Sequence, residues 1–168
     1  MKKHTILFFL LFLFFNVDAQ KFAYIDSEYI LNKIPEYKQS QDKLDLISAE
    51  YQKDIEQKYA EINQLYKRYQ QEKMLLTNEM AQKREDMIIE KEKEVKNLQQ
   101  KYFGPEGELY KKRQELTKPI QEKVYDAIQQ LAANNKYAVV FDSSNDLIIL
   151  YSNTNLDKSD KILEIMGY

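Results

Sequence analysis

A stretch of about 100 residues, from Glu36 to Asn135, has a helical pattern almost throughout and contains no strand-like run. A single straight helix of that length would be ~150 Å long, which is implausible for a chain of 168 residues. We therefore expect the stretch to fold back on itself as a helical hairpin. The predicted tip is residues 76–79, Leu-Thr-Asn-Glu, because two capping-type residues precede an acidic first turn there.

The outgoing half of the stretch carries apolar and aromatic side chains at intervals of four and three residues, as in a coiled-coil seam. Tyrosine, however, fills most of the places that leucine or isoleucine would fill in a self-sufficient coiled coil. Two interpretations remain open: the rings are the hairpin's own core, or they form an adaptable apolar surface that fits no single partner geometry, a view favoured by methionines around the tip. The candidate binding residues of this surface are Tyr51, Ile55, Tyr59, Ile62, Tyr66, Tyr69, Met74, Met80 and Met87.

The returning half contains helix breakers at Gly104, Pro105 and Gly107. The apolar phase nevertheless continues in steps of seven, from Tyr102 through residue 109 to residue 116. This continuity predicts a kink near residues 104–107 within one arm, and a second bend at Pro119.

The two ends of the chain differ from the middle. Strands are predicted over residues 22–26, 137–141 and 147–151, with both faces of the C-terminal pair covered. We expect residues 20–35 and 119–168 to form a small α+β body, from which residues 36–118 protrude as a long antiparallel helical hairpin. Three short strands make a poor core for one chain, so the body should self-associate. The candidate oligomerisation residues are Phe22, Tyr24, Ile25, Val139, Val140, Phe141, Leu147, Ile149 and Leu150.

The N-terminus has the layout of a secretory signal peptide. Two lysines precede ten apolar residues, from Ile6 to Phe15, and Val17-Asp18-Ala19 supplies a cleavage site. Ten residues cannot cross a ~30 Å hydrocarbon core, so a membrane anchor is disfavoured. The prediction is export, with residues 1–19 removed after Ala19.

The exported chain of 149 residues would have a net charge of −3 and no His, Cys or Trp. Histidine acid/base chemistry, Cys/His zinc sites and cysteine nucleophiles are thereby excluded, and three scattered glycines do not make a phosphate loop. Residues 79–101 hold six basic and six acidic side chains, a balance that neither nucleic acid nor anionic lipid would select. We expect no catalytic residue, cofactor, metal or nucleic acid, and no enzyme activity. A hydrolase of envelope polymers is disfavoured for the same reason.

Three segments, in this order, carry a resemblance to a known family. They are KFAYIDSEYILNKIPEY, FGPEGELYKKRQELTKPIQEKV and YAVVFDSSNDLIILYSNTNLDKSDKIL. The exported chain resembles the OmpH/Skp family of periplasmic chaperones over essentially its whole length. The resemblance implies a jellyfish-like homotrimer, whose pooled strands form the core and whose hairpins wall a cavity. It also implies ATP-independent binding of unfolded outer-membrane proteins, with contact to membrane surfaces by way of those clients.

One feature departs from the family. Its best-known members are strongly basic, whereas this chain is slightly acidic with balanced arms. Electrostatic capture of acidic clients or of lipopolysaccharide is therefore not expected. An alternative from another class is a structural coiled-coil spacer or adaptor of the cell envelope that binds one folded partner.

Overall fold

The computed structural model describes residues 20–144 and 150–168. The predicted signal peptide, residues 1–19, and the candidate residues Leu147 and Ile149 lie outside this range. The elements in chain order are β1 (Lys21–Ile25), α1 (Ser27–Lys33), α2 (Pro35–Glu72), a 3-10 turn (Lys73–Leu75), α3 (Asn78–Phe103), α4 (Glu108–Asn135), β2 (Tyr137–Asp142), a second 3-10 turn (Thr154–Leu156) and α5 (Ser159–Met166).

The chain divides into two compact units. The arm unit is Leu31–Val124, and the body unit comprises the described residues up to Ile30 and from Tyr125 onward. The boundaries fall within α1 and α4, so each of these helices contributes residues to both units.

In the arm unit, α2 and α3 run antiparallel. Arg84 Nη2 lies 3.0 Å from Glu72 Oε2 close to the turn between them, and Tyr102 Oη lies 2.8 Å from Asp54 Oδ2 toward the other end of α3. The residues in contact thus lie progressively farther from the turn along both helices. The turn itself occupies residues 73–77, here called the apex turn, and Thr77 Oγ1 accepts a hydrogen bond from Met80 N to cap α3.

The core between α2 and α3 follows a seven-residue repeat. Ile55, Ile62 and Tyr69 on α2 are buried, as are Ile88 and Val95 on α3. Leu65, Leu76, Ala81, Leu98 and Tyr102 pack against this row. The spacing keeps one face of each helix turned to its neighbour, as in a coiled coil.

The returning arm breaks between Phe103 and Glu108. A Cβ on Gly107 would lie 2.7 Å from the carbonyl oxygen of Tyr102, so this position accepts only glycine without distortion. Beyond the break, Ser40 Oγ on α2 lies 3.4 Å from the carbonyl oxygen of Leu116 on α4. The chain therefore continues alongside α2 after the break. Helix α4 runs on through Pro119, so the bend predicted there does not interrupt the helix.

In the body unit, β1 and β2 form a two-stranded parallel sheet, in which Phe22 pairs with Val139 and Tyr24 with Phe141. The other edge of β1 contacts the start of α5: Lys158 N donates to Tyr24 O at 2.9 Å, and Asp26 N donates to Ser159 Oγ at 2.9 Å. The buried apolar residues of this unit are Ala23, Ile25, Ile30, Ala127, Leu131, Ile162 and Leu163.

Two strand predictions need correction. Leu150 and Tyr151, predicted to end a third strand, are exposed and lie in no strand. Strand β2 was predicted to be covered on both faces, but Val139 and Phe141 are about half exposed in the single chain. An apolar run in the sequence predicts that a strand is covered. It does not tell whether the same chain or another chain covers it.

Candidate functional site

The candidate client-binding residues of the arm unit fall into two groups. Ile55, Ile62 and Tyr69 are buried in the hairpin core, and Tyr51 is half-buried. The exposed members are Tyr59, Tyr66, Met74, Met80 and Met87. The seam thus contributes some side chains to the hairpin core and leaves others exposed on the surface.

Tyr69 is fixed in the core by its polar end as well as by its ring. Its hydroxyl donates a hydrogen bond to Glu85 of α3. The ammonium of Lys73 lies 5.3 Å from the ring centroid and 3.8 Å from Glu85 Oε1. The hydrogen bond to Glu85, with partial desolvation, raises the pKa of Tyr69. This residue joins the two helices next to the apex turn.

Tyr51 is held in an aromatic cluster just before the helix break. Its ring stacks on Tyr102, with the ring centroids 4.0 Å apart, and meets Phe103 edge-on at 6.2 Å. Tyr102 in turn donates to Asp54 at 2.8 Å, and this hydrogen bond together with desolvation raises the pKa of Tyr102 to about 12. The cluster ties α2 to the end of α3.

Tyr59 and Tyr66 lie together on one side of the hairpin, here called the tyrosine side. Each follows a core isoleucine by four residues, which places it about 40° to one side of the core line of α2. Ile89 follows buried Ile88 on α3 and is 60 % exposed. Because the helices are antiparallel, Ile89 lies on the same side as Tyr66. The pairing of Lys73 with Glu85 fits this geometry, since each lies on the tyrosine side of its own helix.

Met80 and Met87 lie on the opposite side, here called the methionine side. Met87 precedes Ile88 and therefore points about 100° away from the core line, in the direction opposite to Ile89. A shallow cleft on this side is lined by Lys58, Glu61, Ile62, Lys91, Glu94, Val95 and Leu98. The exposed apolar residues therefore form two separate surfaces rather than one seam.

The sheet of the body unit has one open face. Residues paired across neighbouring strands point to the same side, so Phe22, Tyr24, Val139 and Phe141 share a face. Phe22, Val139 and Phe141 are about half exposed, and Tyr24 is half-buried. Of the other candidate oligomerisation residues, Ile25 lies in the core, Val140 is half-buried and Leu150 is exposed.

Within the described residues, no group of three or more His, Cys, Asp or Glu side chains could hold a metal ion. None of the helices in that part of the chain is both long and apolar enough to cross a bilayer. Several carboxylates of the described residues take part in local bonds, such as the N-terminal cap in which Asp26 Oδ1 accepts from Tyr29 N at 2.8 Å.

The family model for outer membrane protein (OmpH-like) matches residues 21–166. The chain belongs to the OmpH-like family. The fold of this OmpH-like chain is similar to a crystal structure described as an OmpH-like outer membrane chaperone from Caulobacter crescentus, with a TM-score of 0.68. The similarity covers 87% of this chain and 83% of that one at 13% sequence identity, so it establishes the fold alone. A search of curated protein sequences gave no significant match.

Sequence reasoning missed Ile89 as a surface residue of this OmpH-like protein. The signal was present in the pair Ile88-Ile89, because two adjacent residues of a helix cannot both face one neighbouring helix. It also left Tyr59 and Tyr66 ambiguous. Their spacing of four from Ile55 and Ile62 fits a core position, but Leu65 packs against the core instead of Tyr66.

Proposed function

We propose that this OmpH-like protein is an ATP-independent holdase of the periplasm, which binds unfolded outer-membrane proteins along its arms and prevents their aggregation. The observation that carries the proposal is the exposure of Tyr59, Tyr66 and Ile89 beside a hairpin core that is already filled. Because the core does not need these side chains, they are free to contact another chain.

The chemistry of this surface suits weak, adaptable binding. Tyrosine covers apolar groups of many shapes without requiring one partner geometry. Each buried methylene contributes only ~0.8 kcal/mol, so useful affinity requires many such contacts. A client that begins to fold buries the groups it had offered, and it can then dissociate without nucleotide hydrolysis.

Self-association would multiply these contacts. We propose a homotrimer held through the open sheet face that contains Phe22, Tyr24, Val139 and Phe141. Exposed aromatic and β-branched side chains on one face of a two-stranded sheet are poorly placed in water, and a second copy would cover them. Several arms per assembly would then share one client, which raises the effective affinity.

Family membership and the OmpH-like chaperone from Caulobacter crescentus support a chaperone role. This support does not depend on the exposed residues, so it is independent of the argument from their exposure. The periplasmic location rests on the family and on the signal-peptide layout of residues 1–19.

The test is a light-scattering assay in which an outer-membrane β-barrel is diluted from denaturant, with and without the protein. The combined variant Tyr59→Ser, Tyr66→Ser and Ile89→Ser should lose protection several-fold, while each single change does little. The matched control replaces two exposed apolar residues elsewhere on the arm unit, Leu46→Ser and Tyr110→Ser. Protection that survives the triple change, or that requires ATP, would contradict the proposal.

The second candidate function is a structural adaptor for one folded partner. The regular buried row of Ile55, Ile62, Ile88 and Val95 favours it, because a rigid, well-packed rod suits a spacer. An adaptor would not protect several unrelated unfolded barrels at near-stoichiometric ratio. Loss of all binding on one substitution would favour the adaptor over the holdase.

A further inference from the structure

The methionines of the arm unit are all exposed. Met74 in the apex turn is 93 % exposed, and Met80 and Met87 on the methionine side are 52 % and 45 % exposed. Met166, at the end of α5 in the body unit, is half-buried. The remaining methionine of the sequence, Met1, belongs to the predicted signal peptide. Methionine is thus placed mainly where solvent reaches its thioether.

Within the described residues, the two surfaces on which the arm depends contain no methionine. The hairpin core is built from isoleucine, valine, leucine, alanine and tyrosine side chains. The tyrosine side presents Tyr59, Tyr66 and Ile89. A methionine that became polar in the arm would therefore lie outside the packing that joins α2 to α3, and outside the surface assigned to clients.

The composition of the chain directs mild oxidants to these thioethers. Cysteine and methionine sulfur atoms are common targets of oxidants in proteins, and the sequence has no cysteine. Oxidation of methionine to its sulfoxide turns a flexible apolar side chain into a polar one, which disrupts a protein when the side chain is part of a core. At an exposed position water solvates the new oxygen, so the same reaction leaves the packing unchanged.

Arg84 lies between Met80 and Met87 on one face of α3. It follows Met80 by four residues and precedes Met87 by three, the two spacings that bring helical side chains together. Its Nη2 atom lies 3.0 Å from Glu72 Oε2, which anchors the guanidinium across the hairpin. A guanidinium has five N–H donors, more than this one contact requires. A sulfoxide oxygen on either methionine would thus have a hydrogen-bond donor within reach on its own helix.

We propose that Met74, Met80 and Met87 are oxidation sites, at which the protein reacts with peroxide and keeps both its fold and its client binding. Each thioether sulfur takes one oxygen atom from hydrogen peroxide and becomes a sulfoxide, and the other oxygen leaves as water. The sulfur gives up two electrons, which reduce the O–O bond. The part of this inference that concerns client binding rests on the proposed function.

The first test maps the sites. The purified protein is treated with hydrogen peroxide for increasing times, digested, and analysed by mass spectrometry. The peptides that contain Met74, Met80 and Met87 should each gain the mass of one oxygen atom several-fold faster than the peptide that contains Met166. Arm methionines that react no faster than Met166 would overturn the proposal.

A swap of two neighbouring residues tests the link between position and tolerance. The variant Met87→Leu with Ile88→Met moves the thioether by one residue, from the methionine side into the hairpin core. Its thioether should react about tenfold more slowly than that of Met87, because the packed core excludes peroxide. The melting temperature of the wild type, followed by circular dichroism, should be the same before and after full oxidation of the arm. Equal reaction rates at the two positions, or a lower melting temperature of the oxidised wild type, would contradict the proposal.

The last test asks whether oxidised protein still protects clients. The light-scattering assay is run with untreated protein, peroxide-treated protein, and the peroxide-treated variant Met74→Leu, Met80→Leu and Met87→Leu, whose arm cannot form sulfoxides. All three should protect the unfolded barrel equally. If the untreated protein fails to protect, the proposed function is wrong. If the untreated protein protects and the treated wild type does not, the proposed function stands and the present inference is wrong.

Discussion

The ring of Tyr51 lies parallel to that of Tyr102, with the two centroids 4.0 Å apart, immediately before the returning arm breaks at Gly104. The stack joins a continuous helix, α2, to the last turn of an interrupted one. It therefore holds the end of α3 in register where the backbone hydrogen bonds of that helix stop. The hydrogen bond from Tyr102 to Asp54, 2.8 Å long, fixes the same ring at its other end.

The first prediction concerns pH. Hydrogen bonding to the Asp54 carboxylate, helped by desolvation, raises the folded-state pKa of Tyr102 from 10.0 to about 12. A raised folded pKa contributes stability below the unfolded value, and this contribution is lost as pH rises through the folded value. The melting temperature of the wild type should therefore exceed that of Tyr102→Phe below pH 10, and the difference should shrink toward pH 12. Because Tyr69 and the other tyrosines remain in both proteins, the comparison isolates Tyr102. A difference that stays constant over this range would show that the hydrogen bond is unimportant.

The second prediction uses two neighbouring isoleucines. Ile88 is 7 % exposed in the hairpin core, and Ile89 is 60 % exposed. Ile88→Ala should lower the free energy of unfolding by about 2–5 kcal/mol because it leaves a cavity between α2 and α3. Ile89→Ala, with the same chemical change one residue later, should alter it by no more than about 0.5 kcal/mol. Denaturant unfolding followed by circular dichroism measures both. Similar costs at the two positions would mean that Ile89 is covered by another surface.

The third prediction concerns the helix break. A methyl group on Gly107 would lie 2.7 Å from the carbonyl oxygen of Tyr102 and 2.9 Å from Gly104 N, both of them backbone atoms that cannot turn aside. Gly107→Ala should destabilise the protein by about 1–3 kcal/mol through this overpacking. Pro105→Ala at the same break serves as the control and should have a small effect. Thermal unfolding of the two variants checks the prediction, and an unchanged Gly107→Ala would show that the break is free to rearrange.

The fourth prediction concerns the body unit. Ser159 is buried, its hydroxyl accepts from Asp26 N at 2.9 Å, and the same hydroxyl donates to Asp157 Oδ1 at 2.7 Å. Ser159→Ala removes both bonds and leaves a backbone donor without its partner, which should cost about 1–3 kcal/mol. Hydrogen exchange at the Asp26 amide should become faster by the factor that corresponds to this loss of stability. Protection that persists in the variant would mean that water replaces the hydroxyl.

The sequence predicted the helical hairpin well because its evidence is local. Helical periodicity and capping residues act within a few positions, and the apex turn at residues 73–77 overlaps the predicted tip. The choice between Leu65 and Tyr66 as the core residue could not be made, because both fit an a/d pattern and only the neighbouring helix decides. The parallel pairing of β1 with β2 was equally out of reach. This pairing joins residues more than 110 positions apart, and the apolar pattern of a strand does not identify the strand with which it pairs.

The position of β1 between two C-terminal segments has a consequence for the order in which the chain can fold. β1 precedes the other described elements in the chain and is therefore synthesised before them, while its partners, β2 and the start of α5, come from the last third. The hairpin contacts between α2 and α3 are complete as soon as residue 103 has emerged, and short-range contacts of this kind form quickly. Until residues 137–159 arrive, however, Phe22 and Tyr24 belong to a strand with two open edges, which is a template for mispairing. Each newly synthesised copy is thus itself an incompletely folded chain with an exposed strand until its final residues have been added.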